Sequence, residues 1–369
     1  MSTTATRQAS PDQPAPSRPR GRLGVIQRLL TALLVLLAVG LAVAGVNPMP
    51  LVLGFVPFAV IHGVRRYGWH AFSAYTAITL VVSFSLENLS IATGFPFGHY
   101  HYTAQGIPYL GKVPVQIGVI YVALGYVCWI TASALLDGAD QRLGDRTDPA
   151  RRVDLVALPA LAAALMASFD LGSDSAASTV GHRWIWEQGG GVFGVPWTNY
   201  VGWWLVTFLS YQGFAVFLAS RHQRPGRAGA VGREPLAQAA VLYLLLGLSS
   251  IPAFLRASAG TVIDATGAAW STHALFETLM TANLFGAVLL ALLALTRLAR
   301  NDLARYETSA QPPGGRAKAP GDGPARRPEG LPRLAASEKG TARCWSRRAV
   351  RRAGTRQAAT WPPPRHARQ

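Results

Sequence analysis

Long apolar runs alternate with short polar segments along most of the chain. A membrane-spanning helix requires about 20 mostly apolar residues, or slightly fewer where the bilayer thins locally. Runs of this kind occupy residues 24–46, 49–64, 68–93, 114–136, 154–174, 196–220, 236–256 and 272–297. The pattern predicts an all-α, polytopic integral membrane protein, a bundle of about eight transmembrane helices.

The first apolar run has two interpretations. Only Asn47 and Pro48 separate it from the second run, which predicts a tight helical hairpin in which Pro begins the second helix. A signal peptide is the alternative, but the apolar stretch is longer than the usual h-region of about 7–15 residues. We therefore expect a retained first helix.

The charge of the chain lies mainly near its two ends. Half of all residues are hydrophobic (50%) and only 14% are charged, whereas the formal net charge is +17. Residues 1–28 carry +4 and residues 300–369 carry +11 of this charge. We expect a disordered basic tail over residues 1–23, a transmembrane domain over 24–298 and a disordered Arg/Pro-rich tail over 299–369, because such segments cannot bury enough apolar surface.

The basic tails indicate that anionic lipid is their binding partner. Basic segments beside a membrane attract anionic lipid headgroups. Nucleic acid is not expected, since no aromatic-interleaved motif or folded module accompanies the basic residues. The two cysteines, Cys128 and Cys344, provide neither a disulfide framework nor a metal-binding spacing.

The distribution of Arg and Lys predicts the orientation of the bundle. Basic residues are concentrated at the N-terminal flank and in alternate loops after it, while the intervening loops contain only Lys112 and Arg183, with Arg256 at a helix end. Cytoplasmic loops carry the excess of basic residues. Both termini are therefore predicted to be cytoplasmic.

Four carboxyl groups are predicted to lie in the spans, namely those of Glu87, Asp170, Asp174 and Glu277. Ionisable groups are costly in hydrocarbon and often mark functional sites. The alternation of the spans places all four in the outer half of the membrane. Asp170 and Asp174 share a face if the helix continues through Gly172. A structural hydrogen bond or a solvated helix end is the alternative for each.

The first long outer loop, residues 94–113, is rich in Gly, Pro and aromatic residues. His99 and His101 project to one side if this segment is extended, and they could then bind a metal ion. An aromatic belt at the membrane interface is the alternative. We expect no metal, because the other histidines form no dense cluster.

The second long outer loop, residues 175–195, contains Trp184 and Trp186 before a Gly-rich stretch. The glycines allow close approach of the backbone. The tryptophans suit either an interface belt or the wall of an apolar ligand site.

Two motifs, in this order, resemble a known family. The first is Leu86-Glu87-Asn88-Leu89 followed by Gly94-Phe95-Pro96-Phe97-Gly98-His99-Tyr100-His101-Tyr102-Thr103. The second pairs Asp170 with Asp174, followed by Trp184, Trp186, Pro196, Asn199, Gly202 and Trp203. Together they resemble the membrane carotenoid hydratase family, which includes bisanhydrobacterioruberin hydratase, over residues 50–298. The chain departs from the family pattern at Ser175 and Val192, where the pattern has Pro and Tyr.

The resemblance implies addition of water across the terminal C1,2 double bond of an acyclic carotenoid end, without a cofactor. A carboxyl group in a low-dielectric site can remain protonated and act as the acid. We predict that one aspartate protonates the alkene, and that a second carboxylate with a histidine orients and deprotonates water. The predicted catalytic residues are Glu87, Asp170, Asp174, His99 and His101.

The carotenoid is expected to enter laterally from the lipid of the cell membrane, with other carotenoid-pathway enzymes as further candidate partners. Aromatic side chains at the site could stabilise a carbocation by cation–π attraction. The predicted substrate-binding residues are Asn88, Phe97, Tyr100, Tyr102, Trp184, Trp186, Phe193, Asn199, Trp203 and Glu277.

Three other functions remain open from sequence. A proton-coupled transporter also carries intramembrane carboxylates, but it would spread them across the depth of the membrane. An isoprenoid-transferring enzyme could use the DxxxD spacing of Asp170 and Asp174 to hold Mg²⁺-diphosphate, although no companion Asp-rich motif accompanies it. A non-catalytic membrane partner of carotenoid or isoprenoid enzymes would need no reactive groups.

Overall fold

The structure, a computed structural model, describes residues 22–44, 49–221 and 233–310. The predictions for Asn47 and Pro48, for Cys344 and for nearly all of both tails lie outside these ranges. At the C-terminal side, helix continues to Ala310, beyond the predicted domain boundary at residue 298.

Helices form where the sequence has its apolar runs, which confirms the all-α fold. In chain order they are α1 (Arg22–Ala44), α2 (Met49–Tyr67), α3 (Trp69–Thr93), α4 (Val115–Leu135), α5 (Ala139–Arg142), α6 (Arg151–Leu171), α7 (Trp197–Ser220), α8 (Arg233–Leu248), α9 (Ser250–Leu255), α10 (Thr272–Asn283) and α11 (Leu289–Ala310). Two π-helical turns, Ala176–Val180 and Leu284–Val288, follow α6 and α10.

Seven helical stretches within the described ranges are long and apolar enough to cross a membrane. The predicted second span, α2, is not among them; it contains Pro57 and carries Arg65 and Arg66 in its last turn. It nevertheless packs against α1 and α4, with Phe55 and Phe58 fully buried. The protein is therefore a polytopic helical membrane protein, and the status of α2 as an eighth span stays a prediction.

Helix α4 lies at the centre of the bundle, where most of its membrane-spanning stretch is buried. Helices associate in lipid through close packing and interhelical hydrogen bonds. Tyr75 on α3 donates a hydrogen bond to the Val122 carbonyl at 3.0 Å, and Tyr211 on α7 donates to the Gly125 carbonyl at 2.9 Å. These contacts fix α3 and α7 against α4.

Three antiparallel two-stranded sheets occur in the described part of the chain, all at one end of the bundle. We call this the hairpin end, defined by residues 94–114, 181–196 and 256–271. Strand β1 (Tyr100–Tyr102) pairs with β4 (Trp184–Trp186), β2 (Tyr109–Leu110) with β3 (Val113–Pro114), and β5 (Thr261–Ile263) with β6 (Ala269–Ser271). The β1–β4 pair joins the two long outer loops, which are far apart along the chain.

Backbone requirements explain how α3 reaches the hairpin end. Gly94 ends α3 in the left-handed conformation (φ 83°), and its N–H donates to the Ser90 carbonyl at 2.7 Å. A Cβ atom at Gly94 would also lie 2.7 Å from His99 Nε2. Only glycine suits this position, because both the backbone angle and the contact exclude a side chain.

Regular helix does not continue from α6 through Gly172. Gly172 caps α6 at Leu171, and the chain resumes as the π-helical turn Ala176–Val180. A Cβ atom at Gly172 would lie 2.4 Å from the side chain of Asn283, whose Nδ2 donates to the Gly172 carbonyl at 2.7 Å. The break thus lets the last spanning segment approach α6 closely.

The opposite end of the bundle, which we call the basic end, comprises residues 65–68 and 136–150. Arg66 and Asp140 form a buried, bidentate ion pair there, with Nε–Oδ2 and Nη2–Oδ1 distances of 2.6 and 2.7 Å. Tyr67 and Ser133 also donate hydrogen bonds to Asp140. Burial alone would raise the pKa of Asp140, but the Arg66 guanidinium and these donors hold that pKa below its ordinary value.

Candidate active site

Glu87 lies in the last turns of α3, buried among tyrosine hydroxyl groups. Tyr121 on α4 donates to Glu87 Oε1 at 2.8 Å, and Tyr102 donates to Oε2 at 3.0 Å. Tyr100 donates to the same Oε2. A carboxyl group so far from water requires such donors, because an unpaired polar group in the interior is costly.

The β1–β4 pair places two of these tyrosines. Tyr100 lies opposite Trp186, and Tyr102 lies opposite Trp184. Side chains alternate between the faces of a strand, so Tyr100 and Tyr102 point to Glu87 while His101 points away. Burial raises the pKa of both phenols well above its ordinary value, and the charge of Glu87 raises it further. Both groups therefore act as hydrogen-bond donors.

Asn199, near the start of α7, bridges the two aspartates. Its Nδ2 atom donates to Asp170 Oδ2 at 2.7 Å and to Asp174 Oδ2 at 2.5 Å. A primary amide has two hydrogens on this nitrogen, so one donor group can serve both carboxyl groups. All three side chains are buried, and the carboxyl groups are held together across the break in α6.

The remaining oxygen of Asp174 faces the second outer loop. Trp184 Nε1 donates to Asp174 Oδ1 at 3.1 Å, and Trp186 Nε1 lies 3.5 Å from the same oxygen. The two tryptophans of β4 thus pack beside the tyrosines of β1 and also contact the aspartate pair. The β1–β4 pair therefore covers both Glu87 and the aspartate pair.

Glu87 and the aspartate pair belong to one electrostatic cluster. The charge of Glu87 acts on both Asp170 and Asp174, and that of Asp170 acts on Tyr121. The Tyr121 ring stacks on Trp203, with ring centroids 4.6 Å apart. We call Glu87, Asp170 and Asp174 the carboxyl cluster. Such a cluster can donate and accept protons away from bulk water.

A cavity of about 170 Å³ is lined in part by these two tryptophans. Ser178, Thr179 and His182 contribute to its lining, together with Trp184, Trp186 and Asp264. It is large enough and polar enough for several water molecules. Water in this cavity would contact Trp184 and Trp186, the residues whose indoles face Asp174.

Asp264, which lines this cavity, has a structural role in the β5–β6 turn. Its Oδ1 accepts hydrogen bonds from Thr266 and from the Ala268 N–H at 3.0 Å, while Oδ2 accepts from Trp270 Nε1 at 2.8 Å. Burial would raise the pKa of Asp264, but these donors hold it below its ordinary value. Asp264 thus shapes the β5–β6 turn that closes the cavity.

Of the predicted substrate-binding residues, Phe97 and Trp203 lie beside the cluster. Phe97 is buried against both Tyr100 and Trp203. Phe193 lies farther away and contacts Trp270, with ring centroids 5.6 Å apart.

Other predicted residues lie outside the cluster. Asn88 serves the β2–β3 turn, since its Nδ2 donates to the Leu110 carbonyl at 3.2 Å and its Oδ1 accepts from the Lys112 N–H at 2.8 Å. His101 is exposed, and its Nδ1 atom lies 3.1 Å from Glu187 Oε1. Glu277 is exposed on α10, which separates it from the buried carboxyl groups.

His99 packs over Gly94 on the side of the first outer loop. In the described ranges, no three His, Cys, Asp or Glu side chains are grouped so that they could hold a metal ion. The roles assigned from sequence to both histidines stay predictions.

The positions at which the chain departs from the family pattern lie in contact. The Ser175 hydroxyl donates to the Val192 carbonyl at 3.0 Å. A proline at position 175 could not donate this bond, so the link between the π-helical turn and the Gly-rich stretch depends on serine here.

Tyr121 is the main residue of the site that sequence analysis missed. It lies deep in an apolar run, and only its hydroxyl distinguishes it from a core aromatic residue. A polar tip inside a predicted span is a usable signal, but Tyr75, Tyr126 and Tyr211 carry the same signal and lie elsewhere in the core. Contacts between helices, which sequence does not give, decide among them.

The family model of the carotenoid biosynthesis proteins matches residues 46–273, so the chain belongs to this family. The matched range contains the carboxyl cluster and both outer loops. Among curated proteins, the bisanhydrobacterioruberin hydratase of Haloarcula japonica is 32% identical over 156 residues. That alignment covers 42% of this chain and 45% of the relative, so less than half of the relative's length is matched. No solved structure matches the chain.

Proposed function

We propose that the protein is a carotenoid hydratase of the cell membrane that adds water to the terminal C1,2 double bond of an acyclic carotenoid end group. Membership of the carotenoid biosynthesis family and the name of the Haloarcula japonica relative support this substrate class and reaction. The observation that carries the proposal is the buried pair of Asp170 and Asp174, bridged by Asn199.

The reaction requires a proton donor, a stabilised cation and a positioned water. A protonated carboxyl group transfers its proton to C2, and the π electrons of the alkene form the new C–H bond. This leaves a tertiary carbocation at C1. Water attacks C1 and gives up one proton to a carboxylate, so that the net change is the addition of one water molecule and no redox step occurs.

The hydrogen bonds suggest how the two aspartates divide this work. Asp174 accepts from Asn199 and Trp184, with Trp186 in reach, whereas the hydrogen bond found for the Asp170 side chain in the described part of the chain comes from Asn199. Donors aimed at a carboxylate favour its charged form. We therefore assign the transferred proton to Asp170 and the acceptance of the water proton to Asp174.

Glu87 completes the electrostatic environment. The hydrogen bonds from Tyr100, Tyr102 and Tyr121 favour a carboxylate at this position. Negative charge there stabilises a carbocation that forms beside Asp170. The ring of Trp203 adds cation–π attraction, worth up to about 2 kcal/mol where water is excluded.

The test is expression of the chain in a lycopene-producing bacterium, with liquid chromatography and mass detection of the pigments. The wild-type chain should give a pigment heavier by one water, about 18 Da. Asp170→Asn and Asp174→Asn should lower its formation at least about 100-fold, because a general acid or base contributes roughly 10²–10⁴-fold. Glu87→Gln keeps the hydrogen-bond acceptor but loses the charge, and should also lower product formation.

Asp145→Asn is the matched control, since Asp145 is a partly exposed carboxylate at the basic end. It should form the product at the wild-type level, with each variant verified in the membrane. Gamma-carotene and C50 precursors are supplied in parallel strains. An unchanged pigment profile in all of these strains would refute the hydratase proposal and favour a non-catalytic partner or a transporter.

A further inference from the structure

An apolar groove of about 480 Å³ runs along the membrane side of α6. Ala164, Ala167, Ser168 and Leu171 form its floor, with the spacing of one helix face. The first three side chains are small, so a ligand can lie close to the helix backbone. The volume is within the range of small-molecule sites, roughly 300–1,000 Å³.

Flat aromatic rings form the two walls of this groove. Tyr200 and Trp204 contribute one wall from α7, and Phe285 contributes the other from the π-helical turn Leu284–Val288. The Trp204 indole is fixed by its hydrogen bond to the Ala160 carbonyl at 3.3 Å. Phe285 is 74% exposed, so the groove is open to lipid on this side.

The groove ends at the level of the aspartate pair. Leu171 directly follows Asp170 on α6, and Tyr200 directly follows Asn199 on α7. The Tyr200 hydroxyl is buried without a hydrogen bond of normal geometry, and Asp170 and Asp174 both act on it electrostatically. The groove therefore leads from the lipid to a polar end beside the candidate catalytic groups.

We propose that this groove binds the terminal segment of the carotenoid and directs its last double bond to Asp170. This inference rests on the proposed function, since it takes the acyclic carotenoid end as the ligand. The end of an acyclic carotenoid is a slender, methyl-branched alkene chain, and it fits a floor of small residues between aromatic walls. A lipid acyl chain fits less well, because nothing in a saturated chain uses the polar end beside Tyr200.

The dimensions select the end of the substrate rather than its middle. The floor from Ala164 to Leu171 spans about 10 Å at the rise of an α-helix. A polyene that crosses the hydrocarbon core extends about 30 Å. The groove thus accommodates one terminal segment, while the rest of the chain stays in lipid, and carotenoids that differ only in their distant half should bind alike.

The experiment measures pigment that remains bound when the protein is purified in mild detergent from lycopene-producing cells. Absorbance of the polyene relative to protein gives the occupancy. Ala167→Phe fills the groove and should lower the bound pigment, and the hydrated product, at least about tenfold relative to the wild type. Val201→Phe is the matched control, because Val201 faces lipid on α7 at the level of Tyr200 but lies outside the groove.

Asp170→Asn separates binding from chemistry. This variant should retain bound pigment while it forms little hydrated product. Thermal unfolding of each purified variant verifies that the fold is kept. If Ala167→Phe were unfolded, Ala164→Phe would fill the same groove from one helical turn away.

The outcomes distinguish the two proposals. If the wild type hydrates lycopene and Ala167→Phe binds and hydrates it equally well, the groove inference is overturned while the hydratase function stands. If the wild type forms no hydrated pigment but retains lycopene in an Ala167-dependent way, the function fails and the groove stands. Retention of phospholipid instead of pigment, detected by mass spectrometry, would assign the groove to lipid and overturn the inference.

Discussion

Tyr121 makes two different contacts at the candidate site. Its ring stacks on Trp203, while its hydroxyl donates to Glu87 at 2.8 Å. The ring and the hydroxyl therefore have separable roles. Phenylalanine at this position keeps the stacked ring and removes only the donor.

We predict that Tyr121→Phe lowers the hydration rate by about 10- to 100-fold. A hydrogen bond to a charged group is worth about 1.5–3 kcal/mol, and each 1.4 kcal/mol corresponds to about tenfold. Initial rates with lycopene in isolated membranes provide the measurement. Tyr211→Phe is the control, because it removes an equally buried hydroxyl that bonds only to the Gly125 carbonyl. Equal rates for both variants and the wild type would exclude a role for the Tyr121 hydroxyl.

At this scale, the sequence pointed to the carboxyl groups and to most of the side chains around them, but not to the hydrogen bonds that join them or to Tyr121. Glu87, Asp170 and Asp174 are recognisable because a charged residue inside an apolar run is rare. Glu277 carries the same signal, yet it is exposed on α10. Which of these residues meet depends on helix rotation and strand register, which a charge in an apolar run does not specify.

Among the elements, the basic end contains a second buried polar network whose role is structural. α5 presents Asp140 to Arg66 in the last turn of α2, and the side chains are 0% and 2% exposed. Removal of one partner from a buried ion pair leaves an uncompensated charge, which typically costs about 3–5 kcal/mol. The short helix α5 therefore ties α2 to α4 and α6.

We predict that Asp140→Asn lowers the stability of the purified protein by about 3–5 kcal/mol near neutral pH. The pKa of Asp140 is lower in the folded state than the value of about 3.9 expected when unfolded. Its contribution is thus fully present above that value and is lost as the pH falls below it. Unfolding curves should show a constant difference between the wild type and Asp140→Asn from pH 7 down to about pH 4, and a shrinking difference below it.

Asp137→Asn provides the comparison for this network. Asp137 pairs with Arg297 at 2.5 Å, but both side chains are largely exposed (40% and 53%). Exposed pairs contribute about 0–1 kcal/mol. A loss in Asp140→Asn no larger than that in Asp137→Asn would refute the structural role of α5.

The apolar runs predicted the helices well, because a span in lipid must satisfy its backbone within one continuous segment. The breaks at Gly172, at Ser249 and at the turn Leu284–Val288 were not predicted. A π-helical turn has no hydropathy signal of its own, and the three-residue strands β1 and β4 are too short for a periodic pattern. These unpredicted elements, which include both β1 and β4, position the side chains around the carboxyl cluster.

At the scale of the molecule, the described residues place the three two-stranded sheets at one end and Arg66, Arg142, Arg146 and Arg151 at the other. Successive spanning helices alternate in direction. The side of the membrane that each end faces is predicted from the distribution of basic residues. The positive-inside rule predicts that the basic end faces the cytoplasm and that the hairpin end, with the candidate site, lies at the outer face.

We predict that a membrane-impermeant maleimide labels Gln105→Cys in intact cells and does not label Arg146→Cys until the membrane is permeabilised. Both positions are exposed, at the hairpin end and the basic end respectively. Cys344→Ser in both variants removes the tail thiol, while Cys128 is buried. The reverse pattern would place the carboxyl cluster on the cytoplasmic side, so the water that reaches the cavity beside Trp184 and Trp186, and the proton that regenerates Asp170, would come from the cytoplasm.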